Sequence, residues 1–231
     1  MKRMMIVPLG LLLLLASSAL ASPLCGSNGV GAGLDAYIRN YQGFDNACLI
    51  GDKLFYNFQI TVNGGTVTPD NSQINLSGDA RSPISNPGLI IQTGEFFLGP
   101  GSTLDVTINY SVATASGSAL MEDFGLVIAG GNGNTTGFGT VTESFDPANV
   151  DPLVVGFGPG RAGMSSGHIA FSPFLVGTNV TTHIRETATA TGQIDISYIQ
   201  ENFSEVIPEP YAAVLIGSGL VLLGLRRKRA A

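Results

Sequence analysis

The sequence contains no tryptophan, two histidines and two cysteines, and charged residues make up 12% of it. His168 and His183 have no clustered Cys or acidic residues at ligand spacing, which excludes a zinc site of the usual pattern. Trp and Tyr usually provide the flat platforms on which sugar rings stack, and the chain has only six Tyr. These absences favour a structural role over sugar binding, and we predict no metal and no cofactor.

Basic residues are scarce outside the two ends of the chain. Two lie in residues 1–21 and four in residues 226–229, so residues 22–205 hold 16 acidic and 5 basic residues, a formal charge of −11. A surface this acidic repels phosphate backbones. It excludes nucleic acid as a partner and leaves divalent cations and neutral or cationic polymers.

Residues 1–21 have the pattern of a secretory signal peptide. Lys2 and Arg3 form a basic n-region, an apolar run covers residues 6–15, and Ala19-Leu20-Ala21 is an A-x-A cleavage site. The alternative is a retained anchor, but a transmembrane helix needs about 20 apolar residues. We predict a signal peptide helix that is removed after Ala21, and export of the rest of the chain.

Cys25 and Cys48 are the two cysteines of this exported chain. An even number of cysteines in an oxidising compartment favours a disulfide. A bridge between them would stabilise the fold by roughly 3 kcal/mol in the chain-entropy model. Free thiols or buried apolar cysteines are the alternatives, and we predict the disulfide.

Apolar and polar residues alternate through the exported part. The alternation is strict over residues 104–112, which is the period-2 signature of a half-buried strand. Turn sequences such as Asn63-Gly64-Gly65 separate the strands. Further strands are predicted at 53–62, 73–77, 88–93, 119–129, 139–145, 152–157, 169–176, 180–190 and 193–200. This pattern predicts an all-β fold, a two-sheet antiparallel β-sandwich over residues 22–203.

Two shorter patterns add detail to this prediction. Leu34, Tyr37, Ile38 and Tyr41 recur at helical spacing, so a helix of one or two turns is predicted over residues 34–41. In the last predicted strand, 193–200, Ile194, Ile196 and Tyr198 are expected to share one face because they alternate with polar residues.

Residues 206–231 combine a Pro208-Glu209-Pro210 motif, a 15-residue apolar segment at 211–225 and a basic end, Arg226-Arg227-Lys228-Arg229. As a helix the segment is about 22 Å long, against a hydrocarbon core of about 30 Å. The basic residues would keep the C-terminus in the cytoplasm. We predict a single C-terminal transmembrane helix that is held in the membrane transiently. An ordinary permanent anchor is the alternative.

These three parts closely resemble, in order and spacing, the PEP-CTERM sorting signal. The resemblance implies a Gram-negative bacterium, an exosortase of the inner membrane as partner, and removal of the tail near the Pro-Glu-Pro motif. Proteins with this tail are associated with exopolysaccharide and biofilm matrix, so the implied destination is the cell surface or the extracellular matrix. Residues 48–58 also resemble the opening of a group of exported β-sandwich proteins that carry this tail, a group with no assigned activity.

Gly163-Met164-Ser165-Ser166-Gly167 matches G-x-S-x-G, the nucleophile elbow of many hydrolases. That motif works where a strand turns sharply into a helix, with the triad in the order Ser, acid, His. Here a predicted strand follows, and His183 precedes Asp195. We interpret the stretch as a surface loop. A hydrolase that uses Ser165 would require this side chain to lie beside His183.

Two stretches contain residues typical of calcium sites. Asp146, Asn149 and Asp151 could supply oxygen ligands within one loop, but the same residues are common in surface turns. Residues 130–135 resemble one copy of a Gly-rich calcium repeat that works only by stacking. We interpret both stretches as turns.

The acidic residues are scattered, and no pair can be assigned to a shared site from the sequence. We therefore predict that the protein is not an enzyme. The first hypothesis is an exported cell-surface or exopolysaccharide-matrix protein that an exosortase sorts through the tail. The alternative is a polysaccharide-binding or adhesion module, which exposed aromatic side chains would favour.

Overall fold

The computed structural model describes residues 24–25, 32–79, 86–115, 119–130, 137–147, 150–158 and 163–206. A helix, α1 (Leu34–Asn40), and a short 3-10 helix (Phe44–Asn46) lie near the start of this part. The strands are β1 (Ala32–Gly33), β2 (Cys48–Ile50), β3 (Lys53–Gly65), β4 (Asn75–Gly78), β5 (Gly88–Gln92), β6 (Thr103–Thr114), β7 (Leu120–Gly130), β8 (Phe138–Asp146), β9 (Leu153–Phe157), β10 (Gly163–Leu175), β11 (Gly177–Thr187) and β12 (Tyr198–Val206).

These strands form two sheets that pack face to face. Sheet A has the order β2-β3-β6-β11-β8-β9, and sheet B has the order β1-β4-β5-β12-β7-β10. The neighbouring strands within each sheet pair antiparallel. The predicted two-sheet antiparallel sandwich is therefore confirmed for the described residues.

The core lies between the sheets and follows from the period-2 alternation. Val106 and Ile108 of β6 are fully buried, as are Leu126 and Ile128 of β7. Aromatic pairs join the two layers: the rings of Phe55 (β3) and Phe203 (β12) lie 6.1 Å apart, and those of Phe124 (β7) and Phe145 (β8) lie 4.9 Å apart. Edge-to-face contacts of this kind add to the energy of simple burial.

The N-terminal elements close one side of the sandwich. Helix α1 buries Leu34 and Tyr37, and the Tyr37 hydroxyl donates to the Leu76 carbonyl oxygen at 3.2 Å. Cys25 and Cys48 form the predicted disulfide, with a Cα–Cα distance of 4.8 Å. The helix and the disulfide are therefore confirmed. Cys48 belongs to the short strand β2, one hairpin ahead of the first long strand.

Two predicted strands differ from the structure. The last one begins at Tyr198 instead of residue 193, and only an isolated bridge between Ile194 and Leu98 precedes it. Ile196 and Ile199 are both buried, a spacing that breaks the two-residue alternation, so Tyr198 faces outward. The prediction that Tyr198 shares a face with Ile194 and Ile196 is wrong.

Strand β10 begins six residues earlier than predicted. It includes Gly163 to Gly167, which pair with residues 126–130 of β7. The interpretation of this stretch as a loop is therefore wrong, because the ladder to β7 continues through it.

No helix within the described ranges is long and apolar enough to cross a membrane. The signal peptide, the sorting motif at 208–210, the apolar segment at 211–225 and the basic residues at 226–229 lie outside the described residues.

Candidate binding face

The outer face of sheet A is a self-paired polar surface. Its central strands present Thr and Asn side chains that bond to one another: the Thr181 hydroxyl donates to Asn109 Oδ1 at 2.8 Å, and Asn63 Nδ2 donates to Thr107 Oγ1 at 2.7 Å. Cross-strand pairs of this type stabilise a sheet. These groups therefore bond to one another across the strands of sheet A.

Asp105 is the charged centre of that face. It lies 2.7 Å from His183 Nε2 and accepts from Arg185 Nε at 3.0 Å. Partial burial would raise the pKa of Asp105, but the hydrogen bonds from His183 and Asn63 and the charge of Arg185 lower it below its ordinary value. An ionised Asp105 therefore holds His183 and Arg185 in place on the sheet.

The outer face of sheet B contains a shallow trough along strand β7. The side chains on this side of β7 are small: Gly125, Val127 and Ala129 form the floor, and Asp123 lies at one end. A Cβ added at Gly125 would have no atom within 4 Å, so the space above it is open. Four alternate positions span about 20 Å along a strand, which is long enough for several sugar rings. We call these residues the β7 trough.

Strand β12 provides one wall of the β7 trough. Tyr198, Gln200 and Asn202 project from its outer side opposite Ala129, Val127 and Gly125. The Tyr198 hydroxyl donates to Gln200 Oε1 at 2.8 Å, and Gln200 Nε2 donates to Asp79 Oδ2 at 2.6 Å. This chain of hydrogen bonds lays the aromatic ring along the strand and fixes it beside the trough.

Strand β10 provides the opposite wall. Ser166 and His168 are exposed and lie across from Val127 and Gly125. His168 Nε2 is 3.1 Å from Asp123 Oδ2, at the end of the floor. Since adjacent strands lie about 4.8 Å apart, the two walls are separated by about 10 Å. The trough therefore has the width of one extended polymer chain, with an aromatic ring and hydrogen-bonding groups along its sides.

A group of buried carboxyls lies between the two sheets. Glu143 and Glu201 are both fully buried, and the Thr182 hydroxyl lies 3.1 Å from Glu143 Oε2 and 3.0 Å from Glu201 Oε1. The Tyr110 hydroxyl also donates to Glu201. Burial and the charge of Glu201 raise the pKa of Glu143 well above its ordinary value, which favours its neutral form. No polymer can reach this pair, and its role is to join the sheets.

The candidates of the sequence analysis are not assembled into a catalytic site. Ser165 pairs with Ile128 on β7 of sheet B, whereas His183 faces away from the core on sheet A and contacts Asp105. The condition for a hydrolase that uses Ser165 is therefore not met. Asp146 and Asp151 are exposed, and Asn149 lies outside the described residues. Within the described ranges no three His, Cys, Asp or Glu side chains are grouped so that they could hold a metal ion.

The predictions from the sequence did not include the wall residues of the β7 trough or the buried pair Glu143 and Glu201. The alternation over residues 193–200 predicts the wrong face for Tyr198, so it does not indicate an aromatic side chain beside the trough. The buried carboxyls did carry a signal, because Glu143 alternates with Val141, and Glu201 lies between Ile199 and Phe203 at the parity of buried positions. The alternation in the predicted strand 139–145 thus also marked Glu143 as inward-facing, whereas Glu201 lies beyond the predicted strand 193–200, whose alternation favours the opposite parity.

No family model matches this chain, and no curated protein matches its sequence. Among solved structures, a family 61 carbohydrate-binding module in complex with β-1,4-galactotriose has 9% identity over 65% of this chain and 88% of its own, with a TM-score of 0.32. A carbohydrate-binding module with mannan recognition, TmCBM27, has 9% identity over 66% and 97%, with a TM-score of 0.29. An arabinose-bound α-L-arabinofuranosidase has 12% identity over 64% and 22%, also with a TM-score of 0.29. At these TM-scores no ligand and no activity carries over to this chain.

Proposed function

We propose that this protein is an exported, non-catalytic polysaccharide-binding domain, and that the polymer lies in the β7 trough. The observation that carries the proposal is the open floor at Gly125 between a fixed tyrosine on β12 and exposed polar groups on β10. An apolar floor with a few placed polar groups is the usual composition of a small-molecule site. A purely structural role, the first hypothesis from the sequence, does not require such an opening.

The charges around the trough select the class of polymer. Asp123 lies at one end of its floor, Asp79 accepts from Gln200 behind the β12 wall, and the exported part carries a formal charge of −11. A polymer of uronic acids or sulfated sugars would be repelled, because like charges that face each other at an interface cost several kcal/mol. The ligand of this proposal is therefore an uncharged polysaccharide whose hydroxyl groups bond to Asn202, His168 and Ser166.

Substitutions of glycine test the proposal without removing any side chain that could contact the polymer. Gly125→Gln fills the trough, and Gly64→Gln is the matched control, because Gly64 lies on the outer side of sheet A and also has open space above it. Binding of soluble uncharged glucans, mannans and galactans is measured by isothermal titration, with a uronate polymer as a negative reference. Gly125→Gln should weaken the best binding at least about tenfold, ~1.4 kcal/mol, and Gly64→Gln should not. Equal affinity for the two variants would contradict the site.

We also propose that the domain reaches its destination through the C-terminal sorting signal. Support comes from the order of Pro208-Glu209-Pro210, the short apolar segment and the basic end in a chain that begins with a signal peptide. Intact-mass measurement of the mature protein in hosts with and without the exosortase tests this. The tail should be lost only when the enzyme is present. Persistence of the basic residues on the surface-fractionated protein in both hosts would leave an ordinary anchor as the explanation.

A further inference from the structure

One end of the sandwich lies directly next to the point where the C-terminal tail leaves the fold. Val206, the last residue of β12, pairs with Leu120, and Glu205 pairs with Met121. On its other side Met121 pairs with Leu175 at the end of β10. Two strand spacings, about 10 Å, therefore separate the start of the tail from the turn between β10 and β11. We call the surface formed by Val206, this turn and the neighbouring Asp52 the exit end.

The exit end exposes apolar side chains. Phe174 and Val176, on either side of Leu175, have 43% and 54% of their surface exposed. The backbone of Val176 is held in place, since the Thr114 N–H donates to the Val176 carbonyl oxygen at 2.9 Å. Phe138, also exposed, lies at the opposite end, where β8 begins. At the exit end, the exposed side chains of Phe174 and Val176 therefore lie near the start of the tail.

The tether between the fold and the apolar segment is short. Four residues, 207–210, separate Val206 from the segment at 211–225. From position 206 to position 211 there are five Cα–Cα steps, which span about 18 Å at most when fully extended. The polar headgroup layer on each side of a bilayer is about 5–8 Å thick. While the segment is in the membrane, Val206 therefore cannot lie more than about 10–13 Å above the headgroups.

The end of β12 is also held so that it cannot unravel and lengthen the tether. Lys53, at the start of β3, has no exposed surface and forms ion pairs with Glu205 and with Asp52, the latter at 2.9 Å. Glu205 is one residue from the last described position. An ion pair buried at this place keeps the final residues of the strand in the sheet.

We propose that the exit end docks on the membrane surface, with Phe174 and Val176 inserted among the lipid headgroups, until the tail is removed. The proposal rests on the sorting function proposed above. The chemistry of the surface selects the lipid: Asp52, Glu122 and Asp146 lie near this end, so anionic headgroups are repelled and zwitterionic ones are preferred. Removal of the tail would release the domain, because two apolar side chains and an acidic surround do not hold a protein on a membrane.

The absence of tryptophan allows a direct test with introduced single tryptophans. Phe174→Trp reports on the exit end, and Phe138→Trp is the matched control at the opposite end. The full chain with its tail is reconstituted into phosphatidylcholine vesicles that contain brominated lipid, and vesicle flotation shows that the chain is bound. Phe174→Trp fluorescence should shift to the blue and be quenched by the brominated lipid, whereas Phe138→Trp should show the spectrum of the protein in buffer. Anionic lipid should reduce the quenching at low salt, and high salt should restore it.

The outcomes separate the two proposals. A chain that floats with the vesicles while Phe174→Trp remains unquenched, or is quenched no more than Phe138→Trp, overturns the docking and leaves the sorting tail intact. A chain that does not float overturns the membrane function of the tail and, with it, the docking.

Discussion

Lys53 shows how much a single buried charge contributes to this fold. It is the only lysine in residues 22–205, and its side chain is buried against Asp52 and Glu205. Removing one partner of a buried ion pair leaves the other charge without compensation. We expect Lys53→Met to lower the free energy of unfolding in urea by about 3–5 kcal/mol.

A second variant separates charge from packing at this position. When Glu205→Leu is added to Lys53→Met, most of the lost stability should return, because an apolar pair of similar size replaces the ion pair. If Lys53→Met alone unfolds within about 0.5 kcal/mol of the wild type, as an ordinary surface substitution does, the pair does not hold β12 in place.

Glu186 makes the stability of the fold depend on pH. It is buried on β11, and neither carboxyl oxygen has a hydrogen-bond partner within the described residues. Burial and the charge of Asp195 raise the pKa of Glu186 from its ordinary value near 4.5 to about 9. The folded protein therefore binds a proton that the unfolded chain releases, so stability falls as pH rises through this window, by at most about 1.4 kcal/mol per pH unit.

Urea unfolding between pH 5 and pH 9 measures this dependence. Glu186→Gln, which is neutral at every pH, should reduce the slope, whereas Glu122→Gln, a change at a half-buried position of β7, should leave it as in the wild type. A Glu186→Gln protein with the unaltered slope would show that the proton is bound elsewhere, for example by Glu143 or Glu201, whose pKa values are also raised by burial.

At the scale of elements, the disulfide has a measurable role. Cys25 lies beside β2, where its N–H donates to the Leu49 carbonyl oxygen, and the bond to Cys48 closes a loop that contains helix α1. We expect reduction to lower the free energy of unfolding by about 2–5 kcal/mol, the usual range for a native disulfide. The measurement is urea unfolding with and without reductant, and a Cys25→Ser/Cys48→Ser variant, insensitive to reductant, is the control. A shift below about 0.5 kcal/mol would contradict this role.

Most strands were predictable because one face of each is buried. Strict alternation predicts the buried residues of β6 from Leu104 to Tyr110, although every position from Tyr110 to Thr114 is buried, and the helix spacing of Leu34 and Tyr37 predicts α1. The predicted start of β12 is wrong because Ile194 and Ile196 alternate with polar residues as in a strand, but the residues before Tyr198 make only an isolated bridge, at Ile194. The predicted start of β10 is too late because Gly and Ser are typical of loops, although these residues pair with the antiparallel strand β7. A local sequence pattern does not show which strand a segment pairs with, and that pairing determines where β10 and β12 begin.

The candidate site was less predictable than the fold for the same reason. Gly125, Tyr198 and His168 lie on three strands that are distant in sequence and adjacent in sheet B. Their alignment depends on the register between β7, β10 and β12, which the sequence does not show without the topology. One glycine, one tyrosine and one histidine on separate strands do not form a sequence motif that could be recognised.

At the scale of the whole molecule, the two sheets present different outer surfaces. Sheet A has an outer surface whose polar groups bond to one another, and sheet B carries the β7 trough. The trough starts at Asp123, close to the exit end, and runs along β7 to Ala129. In the membrane-docked state that we propose, the bound polymer would therefore extend from the lipid surface outward.

Backbone amide NMR of the isotope-labelled mature protein locates the polymer on the sandwich. An uncharged soluble polysaccharide that binds in the titration is added to saturation, and the shifts of all assigned amides are followed. We expect the largest changes in β7, β10 and β12 around Gly125, His168 and Tyr198, and no change in β6 and β11 of sheet A. Changes centred on Asn109, Thr181 and His183 of sheet A, or saturation with no change near Gly125, would contradict binding in the β7 trough.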